Sequence, residues 1–168
     1  ERRLLWVDGS FIRDLTIDEL YDRSKTYLPS SAAPYSDDYK KQVIGLAQER
    51  LKYFAELPAL TNFFFEDLPV NPELISTHKQ LKKVETSELK QLLESARSSI
   101  AGSDFSAEDL TSRLNELLEA SGQKPAVLFS LIRIATTQAP ASPGLADTMA
   151  VLGRETTLRR IDTQIDAF

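Results

Sequence analysis

Residues 131–161 read LIRIATTQAPASPGLADTMAVLGRETTLRRI. Arg133 closes an apolar helix that Pro125 opens, and the Ser142-Pro143-Gly144-Leu145 turn starts the next one. Leu152-Gly153-Arg154-Glu155 then ends that helix and begins a basic one. Two helix junctions therefore lie close together, each with a cation beside backbone groups that lack an intrahelical partner. Such an arrangement suits an anionic and irregular target, such as a nucleic-acid loop.

Outward from this run, nearly every segment reads as helix. Thr16-Ile17-Asp18-Glu19 forms a capping box ahead of Leu20 and Tyr21. A longer helix starts near Ser36-Asp37-Asp38, where acids in the first turn complement the helix dipole. Ile44, Ala47, Leu51 and Phe54 continue it at helical spacing, and Pro58 ends it or starts a new turn. The prolines of Glu66-Asp67-Leu68-Pro69-Val70-Asn71-Pro72 break the pattern, and Asn71-Pro72 reads as the cap and first residue of another helix. Leu89, Leu92, Leu93 and Ala96 mark the next helix, and Leu110, Leu114, Leu117 and Leu118 the one after, which Gly122 stops. Sustained apolar/polar alternation and Asn-Gly or Asp-Gly turns are missing. The expected fold is all-α, as two small helical subdomains over residues 1–73 and 74–168.

Composition narrows the function. The 168 residues are 42% apolar, enough for a core. No apolar stretch has the length of a membrane span. The chain has no cysteine, so disulfides and thiolate metal sites are excluded and a cytoplasmic setting is expected. No secretory leader is read, and an opening at Glu1-Arg2-Arg3 rather than methionine suggests part of a longer protein. A net charge of −5 weighs against a general nucleic-acid binder, although basic residues gathered on one face still make a locally positive field.

Catalytic chemistry is not legible. The six glycines form no phosphate-cradling loop, and His78, the only histidine, sits among Ser76, Thr77, Lys79 and Gln80 and reads as an ordinary surface residue. Asp37-Asp38 and Glu66-Asp67 read as solvated structural pairs. Phe63-Phe64-Phe65 reads as core rather than a stacking platform for bases, since no basic residue lies between Thr61 and Pro72. This chain alone is expected to hold no catalytic residue, no metal and no cofactor.

Three separated stretches resemble the C-terminal part of bacterial glutamyl-tRNA synthetases. Leu4-Leu5-Trp6-Val7-Asp8-Gly9-Ser10-Phe11-Ile12-Arg13 is similar to that family's Leu-x-Trp-x-Asn-x-x-Tyr-Ile segment, with Asp8 for asparagine and Phe11 for tyrosine. Arg50-Leu51-Lys52-Tyr53-Phe54-Ala55-Glu56-Leu57-Pro58 is similar to its Arg-x-x-x-Leu-x-Glu-x-Pro helix end, with Phe54 for leucine. Leu131-Ile132-Arg133, Ser142-Pro143-Gly144-Leu145 and Leu152-Gly153-Arg154-Glu155 make the third match. The resemblance implies a helical bundle followed by an anticodon-binding domain that contacts the stem and anticodon loop of tRNA(Glu), with no membrane partner and as a monomer. It places ATP and Mg2+ in a catalytic domain outside this sequence, where a glutamate–tRNA ligase would work through an aminoacyl-adenylate.

The resemblance also implies how the anticodon is read. Glutamate and glutamine tRNAs differ at the third anticodon base, cytosine against guanine. Cytosine offers O2 and N3 as acceptors on its pairing edge, whereas guanine offers N1–H and N2–H₂ donors beside O6. A donor-only guanidinium suits the first and opposes the second. Arg50 matches the family position that makes this choice in discriminating enzymes. The Ser142-Pro143-Gly144-Leu145 turn would offer backbone amides, a hydroxyl and an exposed apolar leucine surface to a base. Arg133, Arg154 and at most one of Arg159 and Arg160 would hold the loop's phosphates, with Glu155 and Asp162 partly offsetting their field. Two competing expectations are a non-discriminating synthetase and, from the residues alone, a helical protein–protein adaptor.

Overall fold

The computed structural model describes residues 9–139 and 142–168, with the backbone alone for residues 9–11. Residues 4–8 of the first motif, and the side chains of Ser10 and Phe11, lie outside that description. All regular structure among the described residues is helical. The chain divides into two compact units: the described residues up to Asp67 with Ser142–Gly144, and Leu68 onward with the last two helices.

The first unit contains α1 (Gly9–Asp14), α2 (Ile17–Ser24), α3 (Asp37–Ala47) and α4 (Leu57–Thr61). Thr16 caps α2 as its sequence requires: the Glu19 amide donates to the Thr16 hydroxyl at 3.2 Å, and the Thr16 amide to the Glu19 carboxylate at 3.1 Å. The Thr16 amide and then its hydroxyl hold the Glu19 carboxyl below its ordinary range. Ser36 caps α3, accepting from the Tyr39 amide at 3.2 Å. Ile12, Leu20, Ile44, Ala47, Leu51, Phe54 and Leu57 close the core. The Phe63–Phe65 cluster is buried, with Phe63 wholly inaccessible, so these rings serve packing rather than base stacking.

Helix α3 ends at Ala47, not beyond Phe54. The apolar spacing is real, and Leu51 and Phe54 are both buried, but a turn and a 3-10 helix carry them inward. Pro58 then sits in the first turn of α4, where its missing N–H costs no helix bond.

The second unit contains α5 (Glu73–Ser76), α6 (Thr86–Ala101), α7 (Ala107–Ser121), α8 (Pro125–Thr137), α9 (Leu145–Leu152) and α10 (Arg154–Ala167). Pro72 is the N-cap of α5, one residue later than the sequence suggests, and Asn71 before it accepts from the Glu73 amide at 3.1 Å. Ser106 caps α7, and Gly122 ends it at φ +67, a conformation glycine adopts without steric cost. Helix α8 is apolar on most faces and buries Val127, Leu128, Leu131, Ile132, Ile134 and Ala135. It is the central helix of this unit.

Helix α8 also runs past Arg133, where the sequence was expected to end it, for a further turn to Thr137. The Thr136 and Thr137 hydroxyls donate to the Ile132 and Arg133 carbonyls at 2.9 and 2.7 Å, so the last turn is satisfied internally. Gln138 then stops the helix at φ +50. Helix α10 is fastened by Arg97, whose guanidinium donates to both Asp162 oxygens at 2.6 and 3.2 Å, and by Arg160, which donates to the Thr136 carbonyl at 2.7 Å.

Candidate nucleic-acid interface

The Arg50 motif becomes legible once each member has a place. The Arg50 amide donates to the Ala47 carbonyl at 2.9 Å, which places the residue in the turn that closes α3. Leu51, with no exposed surface, and Phe54, 6% exposed, anchor the chain between this turn and α4. The Glu56 carboxylate accepts from the Lys52 amide at 2.7 Å and the Tyr53 amide at 3.4 Å, holding that stretch to the start of α4. On the other side, Gln48 Nε2 donates to the carbonyls of Ile12 at 2.8 Å and Leu15 at 2.9 Å, satisfying acceptors at the end of α1.

Phe54, Glu56 and Pro58 therefore have structural work, and Arg50 does not. Its guanidinium is exposed and forms no hydrogen bond or ion pair with the described residues. A long, always-charged side chain with a fixed donor fork is thus presented to solvent from a pinned turn.

The C-terminal candidates are placed differently. Ser142 is 2% exposed and its hydroxyl donates to the Pro143 carbonyl at 2.9 Å. Pro143 is buried as well, and Leu145, at 8%, belongs to the core of the second unit. Gly144 is the exposed member of the turn. The sequence reading gave Leu145 an exposed apolar surface for a base; in the folded chain that surface faces the core.

Arg133 lies within α8 and is half-buried. Arg154, at the start of α10, is exposed and holds its guanidinium 5.4 Å from the centre of the Phe105 ring. Of the adjacent pair, Arg159 is exposed, whereas Arg160 is committed to the Thr136 carbonyl. Asp162, expected to offset the basic field of this helix, is itself held by Arg97. Arg50 and Ser142–Gly144 group with the first unit, and Arg133, Leu145 and Arg154 with the second.

The model of the anticodon binding domain family matches residues 19–165. The chain belongs to that family. It is 34% identical over 171 residues to a glutamate–tRNA ligase of Roseiflexus castenholzii, a match covering 97% of this chain and 33% of that protein. A glutamate–tRNA ligase of Herpetosiphon aurantiacus is 32% identical over 169 residues, covering 96% of this chain and 33% of that one. The chain thus spans about a third of the length of the curated relatives it matches. The crystal structure of a glutamate tRNA ligase from Elizabethkingia meningosepticum shares the fold, with a TM-score of 0.77 over 95% of this chain and 31% of that one at 23% identity.

Two residues of this anticodon-binding domain have structural roles that the sequence did not suggest. Gln48 carried no signal, because a glutamine near a helix end has no preferred role. His78 was read as an ordinary surface residue and is not one. It is half-buried, and its Nδ1 accepts the backbone amides of Gln80 at 3.1 Å and Leu81 at 3.2 Å. The imidazole builds the turn that leads into Leu81, a buried core residue.

Proposed function

We propose that this chain is the anticodon-binding part of a glutamate–tRNA ligase, and that Arg50 selects cytosine over guanine at the third anticodon base of tRNA(Glu). Membership of the anticodon-binding domain family and similarity, over nearly the whole of this chain, to a third of a glutamate–tRNA ligase support the first statement. The observation that carries the second is the exposed Arg50 guanidinium, without a partner among the described residues, on a turn fixed by Gln48, Phe54 and Glu56. Cytosine O2 and N3 accept from the guanidinium fork, whereas guanine N1–H and N2–H₂ confront it with donors. Arg133 and Arg154 in the second unit and Gly144 in the first are further candidates for contacts to the loop, with Ser142 and Pro143 buried beside Gly144 and Leu145 in the core of the second unit. Bond formation belongs to a catalytic domain that uses ATP and Mg2+; this part positions the tRNA.

The test is binding of tRNA(Glu) and tRNA(Gln) transcripts to the wild-type chain and to Arg50→Gln. The wild type prefers the glutamate tRNA, and the variant narrows that preference by roughly ten- to a hundredfold, the worth of a lost charged contact at a base edge. Binding that weakens steeply with salt distinguishes RNA recognition from docking of a protein partner. An unchanged preference in Arg50→Gln removes Arg50 from the reading of the third base.

A further inference from the structure

Ile17, Tyr35 and Tyr53 are the exposed large apolar side chains among the described residues. Tyr35 has a partner: its ring lies 5.0 Å from that of Tyr39, 22° from parallel, and meets Phe65 edge-on at 5.4 Å. Tyr53, 38% exposed, contacts no other ring among the described residues. The ring is open, but its attachment is fixed. Leu51 and Phe54 on either side are buried, and the amides of Lys52 and Tyr53 both donate to the Glu56 carboxylate. With a pinned backbone and only two side-chain torsions, such a ring contributes contact area at little cost in conformational entropy.

Tyr53 follows Arg50 by three residues, so their α-carbons are at most about 10 Å apart. Both belong to the first unit. Within that span the chain displays a donor fork and an aromatic ring. An unstacked base offers a protein an edge whose donors and acceptors differ between bases, and a π-face that every base shares. Arg50 addresses only the edge. Phe63, Phe64 and Phe65 are buried and closed to a base, which leaves Tyr53 as the exposed ring beside Arg50.

Resting on the anticodon-binding reading above, we infer that Tyr53 stacks on the third anticodon base while Arg50 reads its edge. The two residues divide affinity from selectivity. The stack holds cytosine and guanine alike, and the guanidinium separates them.

Binding of tRNA(Glu) and tRNA(Gln) transcripts resolves the two contributions. Tyr53→Ala weakens both complexes roughly tenfold and retains the preference between them, with an unchanged salt slope because no cation is removed. Tyr53→Leu, which keeps apolar bulk and removes the π-face, does the same, whereas Tyr53→Phe binds as the wild type does. An anticodon stem-loop carrying the fluorescent base pyrrolocytosine at the third position, which retains O2 and N3, reports the stack directly. Its emission is quenched on binding the wild-type chain or Tyr53→Phe, and less so on binding Tyr53→Ala or Tyr53→Leu. Wild-type affinity in Tyr53→Ala overturns the inference, as does quenching that Tyr53→Ala and Tyr53→Leu leave intact. A wild-type chain that binds neither the transcripts nor the stem-loop overturns the anticodon-binding reading itself. An unchanged preference in Arg50→Gln, with quenching reduced in Tyr53→Leu, removes Arg50 from the third base and leaves the stack standing.

Discussion

Replacement of Gln48 probes the support beneath the Arg50 turn. Its side-chain amide donates to the carbonyls of Ile12 and Leu15 at 2.8 and 2.9 Å, and more weakly to that of Arg13 at 3.4 Å. A hydrogen bond of this kind contributes about 0.5–1.5 kcal/mol net, so Gln48→Ala costs about 1–3 kcal/mol. Gln48→Glu separates the chemistry from the shape. Glutamate has nearly the same volume, but its ionised carboxylate only accepts, and it would face the oxygens of Ile12 and Leu15. The cost near neutral pH therefore exceeds that of alanine by about 1 kcal/mol or more. Urea midpoints followed by circular dichroism give the order wild type, Gln48→Ala, Gln48→Glu. Protonation of the introduced carboxyl at acid pH restores a donor, so the gap between the two variants closes as pH falls. Gln48→Glu as stable as wild type near neutral pH would refute the assignment of Gln48 as a donor to the end of α1.

Other perturbations test the second unit. Gly153 has φ +86 and ψ 162 with open space around it, so Gly153→Ala meets backbone strain alone; it destabilises by about 1–3 kcal/mol, read from thermal melts. Arg97→Ala breaks the ion pair with Asp162, but the two side chains are 40% and 47% exposed, so the loss of stability is small and shrinks in high salt. Asp109 is held below its ordinary 3.8 first by the Ser103 hydroxyl and then by Arg113, and Asp104 first by the Ser106 amide and then by its hydroxyl. Both folded values are depressed, so their contribution to stability is present above pH 3.8 and is lost as pH falls through the lower folded values. Ser103→Ala flattens that acid limb; an unaltered limb would show that the hydroxyl does not set the Asp109 proton affinity.

Residues whose own chemistry dictates a local geometry were legible in the sequence. Thr16 and Glu19, Ser36, Ser106, Gly122 and Pro58 all occupy the positions their backbone preferences suggest. The two misplaced helix ends share a cause. At Ala47 the apolar spacing continued through a turn and a 3-10 helix, which bury residues at similar intervals without being α-helix. At Thr137 the stop is a glutamine in a left-handed conformation, which no sequence preference announces. Arg50 stood out through the motif around it, whereas the inward packing of Leu145 and the double bond at His78 Nδ1 depend on tertiary neighbours. Spacing along a chain identifies a face of a helix, but which face meets the core is settled by the other helices.

Gln138 is asked for two things by two parts of its environment. Its φ of +50 belongs to glycine or asparagine, and a longer residue there carries a cost of about 1 kcal/mol or more. Its side chain accepts the Asn71 amide at 3.0 Å and donates to Gln164 at 2.8 Å, so it joins the entry to α5 with α10. Glycine would ease the backbone and sever both links; asparagine would suit the backbone but is one methylene shorter. The position is thus a compromise between main chain and side chain, where a substitution that looks conservative by either criterion fails the other. The end of α8 can drift in sequence only if Gln164 changes with it and the Asn71 backbone amide finds another acceptor.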